Sequence, residues 1–136
     1  ADGTITWMTG PKTLREHTVP SINEAASKAG RKKPRVVVGL PICVTGEPTA
    51  AREKAGNAFS VYGFLPSYRA MLDREGAAGP ADVAVVGDES AVGEQLTRLS
   101  EAGVIDFLAA IFPSGPDAQA SIARTRSFLV GSLKKF

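Results

Sequence analysis

Apolar residues along this chain fall into short dense runs separated by longer stretches with helical periodicity. Thr4 to Thr9 (TITWMT), Arg35 to Thr45 (RVVVGLPICVT) and Asp106 to Phe112 (DFLAAIF) are the dense runs. The second and third are nearly continuous, as in strands covered on both faces within a parallel sheet. A helix is predicted from Pro11 to Gly30, with proline at its first position, glycine at its stop and Pro20 kinking or splitting it. Glu47 to about Tyr62 is Ala-rich and charged, and Pro66 to Glu75 carries Tyr68, Met71 and Leu72 at helical spacing. Asp88 to Ala102 repeats Val92, Leu96 and Leu99 on one face, and Asp117 to about Leu133 turns Ile122, Phe128 and Leu129 inward. Gly76 to Gly87 is the most loop-like stretch, and its VAVV core reads equally as loop or as a short extended segment.

Strands alternating with helices predict an α/β fold of parallel strands joined by crossover helices. Three such strands make one incomplete domain over residues 1–136, with two rows of unpaired backbone groups at its edges. The sheet is therefore expected to be finished by a larger parent or by copies of the same chain, as a homo-oligomer through its open edges. The absence of an initiator Met before Ala1 is compatible with a processed or truncated product.

Composition narrows the classes. A chain of 136 residues that is 43% hydrophobic can bury a core, and a net charge of +2 gives no basic stripe. The densest basic cluster, Arg31-Lys32-Lys33-Pro34-Arg35, falls where a helix hands over to a strand and reads as a solvated loop, so no nucleic-acid partner is expected. No apolar run approaches the roughly 18 residues a membrane helix needs, and no membrane partner is expected. The single Cys43 excludes an internal disulfide, suggests a reducing, cytoplasmic setting and, within an apolar run, reads as a buried inert thiol. His17 has no Cys or His companion at metal-ligand spacing, which argues against a metal site.

Several segments together carry a family resemblance. Ala1-Asp2-Gly3 before an apolar strand, then Thr9-Gly10-Pro11-Lys12-Thr13-Leu14, resembles the sixth strand and following helix of the luciferase-like monooxygenase family. Pro34-Arg35-Val36-Val37-Val38 to Thr45 resembles the seventh strand. Pro66 to Gly76 is similar to a helical insertion in the subgroup that uses the deazaflavin coenzyme F420. Val86-Gly87-Asp88-Glu89, then Leu96, Leu99, Ala102-Gly103-Val104 and Asp106-Phe107, resembles the closing helix and eighth strand. The resemblance implies the last three βα units of a TIM (β/α)8 barrel of bacterial luciferase-like type. It also implies that strands one to five, which supply most cofactor contacts in relatives, lie outside this chain.

In such barrels chemistry sits at the C-terminal ends of the strands. Thr9 and Gly10 open a helix whose free amides attract an anion, or Thr9 is a plain N-cap. Trp7 either stacks on a cofactor or packs in the core. With Thr9 and Gly10 it forms the candidate cofactor-binding set. Tyr62, Tyr68 and Arg69, from the long connection after the second strand, are the candidate substrate-binding set, since a Tyr–Arg pair suits an anionic or carbonyl group. Against this stands the plainer reading of all three as helix surface and core. Gly115-Pro116 repeats the helix-opening pattern, and Asp88, Glu89 and Glu94 complement a helix dipole without a catalytic role. No catalytic residue and no metal ligand is assigned.

The function that follows is part of an oxidoreductase moving a hydride between coenzyme F420 and an organic substrate, inactive as this chain alone and not binding the coenzyme unaided. The alternatives are an FMN-dependent monooxygenase fragment and a catalytically silent, self-associating α/β fragment. Against a flavodoxin-like binding module stands the lack of a Gly-rich phosphate loop after the first strand.

Overall fold

The structure, a computed structural model, describes residues 1–133. Four parallel strands form one sheet: β1 (Gly3–Trp7), β2 (Arg35–Val44), β3 (Val85–Gly87) and β4 (Asp106–Ile111). β2 is the central strand. β4 pairs with it from Val37 to Ile42, while β1 takes Arg35 to Gly39 and β3 takes Ile42 to Val44. Val37, Val38 and Gly39 pair with both β1 and β4, and Ile42 with both β3 and β4. β1 and β3 therefore share one edge of β2 in succession, and β4 holds the other.

The first helical run is continuous from Pro11 but not uniform: α1 (Pro11–Thr13) passes through a π-helical turn at Leu14–Thr18 into α2 (Val19–Lys28). The irregularity comes just before Pro20, whose missing N–H removes a rung of the helical ladder. After β2 come α3 (Pro48–Ala58), a 3₁₀ turn at Ser60–Gly63, and α4 (Pro66–Glu75), whose bounds match the predicted ones. The loop-like stretch from Gly76 to Gly87 instead holds a short helix, α5 (Pro80–Val83), and then β3, the extended alternative of the VAVV core. α6 (Glu89–Glu101) and α7 (Ala118–Ser132) start on N-cap aspartates. Asp88 accepts from the Ala91 N–H at 2.8 Å and Asp117 from the Ala120 N–H at 2.9 Å, the dipole-side role expected of Asp88.

The two faces of the sheet are unequal. Val36, Val38, Leu40, Ile42 and Val44 on alternate positions of β2 are all buried, packed with Leu14, Leu72, Val92 and Leu99 from the helices. In-register neighbours share a face, so Ile5 and Trp7 of β1 and Leu108 of β4 lie with Val37 and Gly39 on the opposite side. That side is largely bare at Ile5, 68% exposed, and at Leu108, 53% exposed. Toward the strand ends a second cluster of Cys43, Ala51, Ala55, Ala84, Val86 and Phe112 closes it. Cys43 is fully buried, as its apolar run predicts.

Beyond the end of β4, α7 completes the β2 edge. The Thr125 hydroxyl accepts the Val44 N–H at 2.9 Å and donates to the Ser121 carbonyl at 3.2 Å, and Thr125 is wholly buried. A helix hydroxyl thus takes the place of the strand that would otherwise satisfy this amide. Among the described residues no helix is long and apolar enough to cross a membrane, and no group of acidic, His or Cys side chains could hold a metal ion.

Candidate functional site at the strand ends

β1 leaves its ladder at Met8, a non-glycine residue in left-handed conformation (φ 59°) with its side chain wholly buried. Such a conformation costs about 1–2 kcal/mol, and here it is held by core packing and by the Met8 N–H donating to the Gly39 carbonyl at 3.1 Å. The reversal turns the Thr9 hydroxyl inward, 2.7 Å from Met71 Sδ on α4 and 3.4 Å from the Trp7 carbonyl oxygen. Thr9 is therefore not the N-cap. Gly10 occupies that position, without a side chain to cap with.

The acceptor at this helix start comes from 63 residues away. Glu75, the last residue of α4, receives the Lys12 N–H on Oε1 at 3.1 Å and the Thr13 N–H on Oε2 at 2.7 Å. Gly10 makes the approach possible, since a Cβ there would stand 2.5 Å from Glu75 Oε1. The N-cap reading of Thr9 is thus corrected, and the carboxylate at the turn in this structure is the protein's own Glu75.

Trp7 lies over Gly39, where an added Cβ would stand 2.8 Å from indole Cε3. Its ring meets Phe59 edge-on at 6.2 Å and Tyr62 at 5.9 Å. Tyr62 in turn meets Tyr68 at 4.8 Å, and Phe59 meets Phe112 at 6.2 Å. Each such pair contributes about 0.5–1.5 kcal/mol beyond area burial. Trp7, Tyr62 and Tyr68, predicted from separate segments, come together in one aromatic wall. The indole Nε1–H is buried and has no partner. Sequence reasoning missed Phe59, Phe112, Glu75 and Gly39. Of these, only Gly39 carried a signal, because a glycine inside a strand marks a close approach.

Arg69 does not join this wall. Its guanidinium donates to Asp73 Oδ1 at 2.9 Å and to the carbonyls of Ala77 and Ala78 at 2.7 and 2.9 Å, bracing the turn after α4. Of the predicted substrate-binding set, Tyr62 and Tyr68 are brought together, and Arg69 turns to the backbone after α4.

Between α6 and α7, Glu89 and Arg124 form a two-pronged ion pair at 2.7 Å for each contact. The Arg124 hydrogen bonds hold the Glu89 carboxyl at about 2, below its ordinary 4.5. This pair joins two helices and touches none of the wall residues. A cavity of about 590 Å³ lies between α6, β4 and α7, lined by Leu96, Phe107 and Leu129 among others. A second, of about 430 Å³, lies beside β3 and α6. Neither is lined by Trp7, Tyr62 or Tyr68.

The arrangement at the strand ends is a rigid aromatic wall beside a closed turn, the geometry of one side of a barrel mouth. A family model described as luciferase-like monooxygenase matches residues 1–122. The chain belongs to that family. No curated protein sequence matches it. Among solved structures, it is similar to an F420-dependent secondary alcohol dehydrogenase in complex with an F420-acetone adduct, at 21% identity and a TM-score of 0.63. It is also similar to the coenzyme F420 dependent tetrahydromethanopterin reductase from Methanopyrus kandleri, at 21% identity and a TM-score of 0.66. The alignments cover 94% and 90% of this chain but 42% of each of those chains. The fold of this luciferase-like chain is thus the expected α/β barrel portion, parallel strands joined by crossover helices.

Proposed function

We propose that this chain is the C-terminal wall of a luciferase-like oxidoreductase that exchanges a hydride between coenzyme F420 and an organic substrate, and that it does not turn over alone. The observation that carries this reading is a four-stranded parallel sheet with one face covered by helices and the other bare at Ile5 and Leu108, in a chain the family model spans from 1 to 122. A barrel interior is closed by all its strands, so most of a coenzyme's contacts fall to strands outside this chain.

The residues present fit part of such a coenzyme. A planar deazaflavin ring suits the wall of Trp7, Tyr62 and Tyr68, and the buried, unpartnered Trp7 Nε1–H favours a polar ring edge there. When bound, the coenzyme supplies the redox chemistry. With Glu75 on the Lys12 and Thr13 amides, this reading puts the coenzyme's phosphate away from Thr9-Gly10-Pro11. FMN with oxygen is the alternative chemistry on the same wall.

The bare face also supports a second reading, a catalytically silent homo-oligomer joined through the free edges of β1 and β4. Light scattering and a deazaflavin titration of this chain test both. The chain should run larger than a monomer and bind coenzyme F420 weakly or not at all. Stoichiometric, micromolar binding by a monomer would overturn the wall-only reading. Joining the preceding strands of a family relative should restore binding, and a folded hybrid without it removes the coenzyme assignment.

A further inference from the structure

We propose that the free edge of β4, with the apolar groove beside it, is a two-fold contact between two copies of this chain. The proposal rests on the self-association reading and names its contact: β4 pairs with β4 of the second copy, and the edge of β1 stays free.

The two open edges of the sheet are unequal. β1 starts on Gly3 and carries Thr4 and Thr6 on the helix-covered face, in register with Val36 and Val38. β4 is one residue longer, has no proline, and bears its single charge, Asp106, at its first position, paired with Arg35 of β2. The charges and prolines that blunt an edge strand are thus missing from the rest of β4. Both of its faces are apolar. Leu108 stands more than half exposed on the bare face. On the other face Phe107 and Ala109, in register with Val38 and Leu40, help line the cavity of about 590 Å³ between α6 and α7. Ile105, Val130 and Leu133 line the same groove, and each is more than half exposed. Such a strand is built like a central one, yet it has a neighbour on one side only.

A two-fold contact needs a patch that is its own complement, with protrusion and recess on one surface. Here the exposed aliphatic side chains protrude and the groove is the recess. Antiparallel pairing of β4 with its copy joins two sheets into one and sets apolar side chains opposite apolar ones. It brings no like charges together, because Asp106 meets the far end of the second copy's strand. The contact closes on itself at two copies, whereas β4 laid on β1 of a second copy would leave edges free and propagate.

The test is sedimentation of this chain over a wide concentration range, with hydrogen exchange of the amides of residues 106–111 followed alongside. The chain should pass from monomer to dimer and no further, and those amides should exchange more slowly as the dimer forms. Leu108→Lys should raise the dimer dissociation constant about tenfold or more, the effect of losing one buried leucine. Ile5→Lys, the matching change on β1, should leave it unaltered. If Leu108→Lys fails to fold, Val130→Lys on the exposed side of α7 takes its place with the same expectation. An undiminished dimer in the Leu108 or Val130 variant, a dimer broken by Ile5→Lys instead, or growth beyond two copies would overturn the contact and leave self-association standing. A chain monomeric throughout would remove both. Protection of residues 106–111 gained only after the preceding strands of a family relative are joined would overturn the proposal and give the edge to those strands.

Discussion

Replacing Gly39 by alanine adds one methyl group to the most crowded point beneath the aromatic wall. The new Cβ would stand 2.8 Å from Trp7 Cε3 and 3.3 Å from both Cζ3 and the Thr6 carbonyl oxygen. Ordinary carbon contacts begin near 3.5 Å, so ring and strand must separate by about 0.7 Å. The ring cannot yield freely, because Phe59 and Tyr62 hold it edge-on. Overpacking of this kind costs about 1–3 kcal/mol. Alanine recovers about 0.5–1 kcal/mol of strand preference relative to glycine, which leaves a net loss of up to about 2.5 kcal/mol. Trp7 is the chain's one tryptophan, so its emission reads the displaced ring directly during urea denaturation at fixed protein concentration. Gly39→Ala should lower the midpoint and shift the emission maximum, and Trp7→Phe should relieve at least half of the loss in the double variant. A Gly39→Ala chain as stable as the parent, with unchanged emission, would refute the close-packing argument.

Other perturbations test the frame around the wall. Leu72→Ala should cost about 2–5 kcal/mol in the same denaturation assay, because the side chain is wholly buried and anchors α4; a loss below about 1 kcal/mol would contradict that burial. Thr125→Val leaves the Val44 N–H without its acceptor and should cost about 1–3 kcal/mol, most of it recovered by Thr125→Ser. Glu89 has its carboxyl lowered from 4.5 to about 2, chiefly by the Arg124 hydrogen bonds. Since the folded value is the depressed one, the pair's stabilisation is present above about 4.5 and is lost as pH falls toward 2. The contribution is small and salt-screened because both groups are solvent-exposed. Carboxyl-carbon NMR should place the Glu89 midpoint near 2, and Arg124→Ala should return it to the ordinary range; an unmoved midpoint would exclude Arg124 as the cause.

Legibility in the sequence follows the range of the interactions involved. β2 can be read to within one residue because ten successive positions are nearly all apolar or small, as burial on both faces demands. α4 can be bounded because Pro66 and Gly76 stand at its ends, and α6 because Asp88 caps it. β3 has three residues, too few to set a period, and its pairing depends on where β1 stops. The break after Trp7 leaves no mark, since nothing in the residue type of Met8 announces a left-handed backbone. Trp7, Tyr62 and Tyr68 stand out one by one as large aromatic groups near strand ends, but their meeting depends on Gly39 and Phe59. The partners of Arg69 are not legible because they include backbone carbonyls eight and nine residues on, which do not depend on side-chain identity. Glu75 is invisible for the opposite reason, its partners being 63 and 62 residues away.

These placements divide the labour within the segment. The helix-covered face holds the strands together, and Thr125, Glu89 and Arg124 fasten α7 to the rest. Trp7 sits on the other face, and the contacts that position the wall are made inside this chain: Gly39 below Trp7, Phe59 and Tyr62 beside it, and Tyr68 and Met71 from a helix latched by Glu75. None of these contacts requires the remaining barrel strands. The packing of the wall is therefore complete within this chain, as expected of side chains set on rigid elements. Incompleteness at the bare edges and completeness at the strand ends are thus compatible, because the strand ends are fixed by crossover segments that belong to this chain.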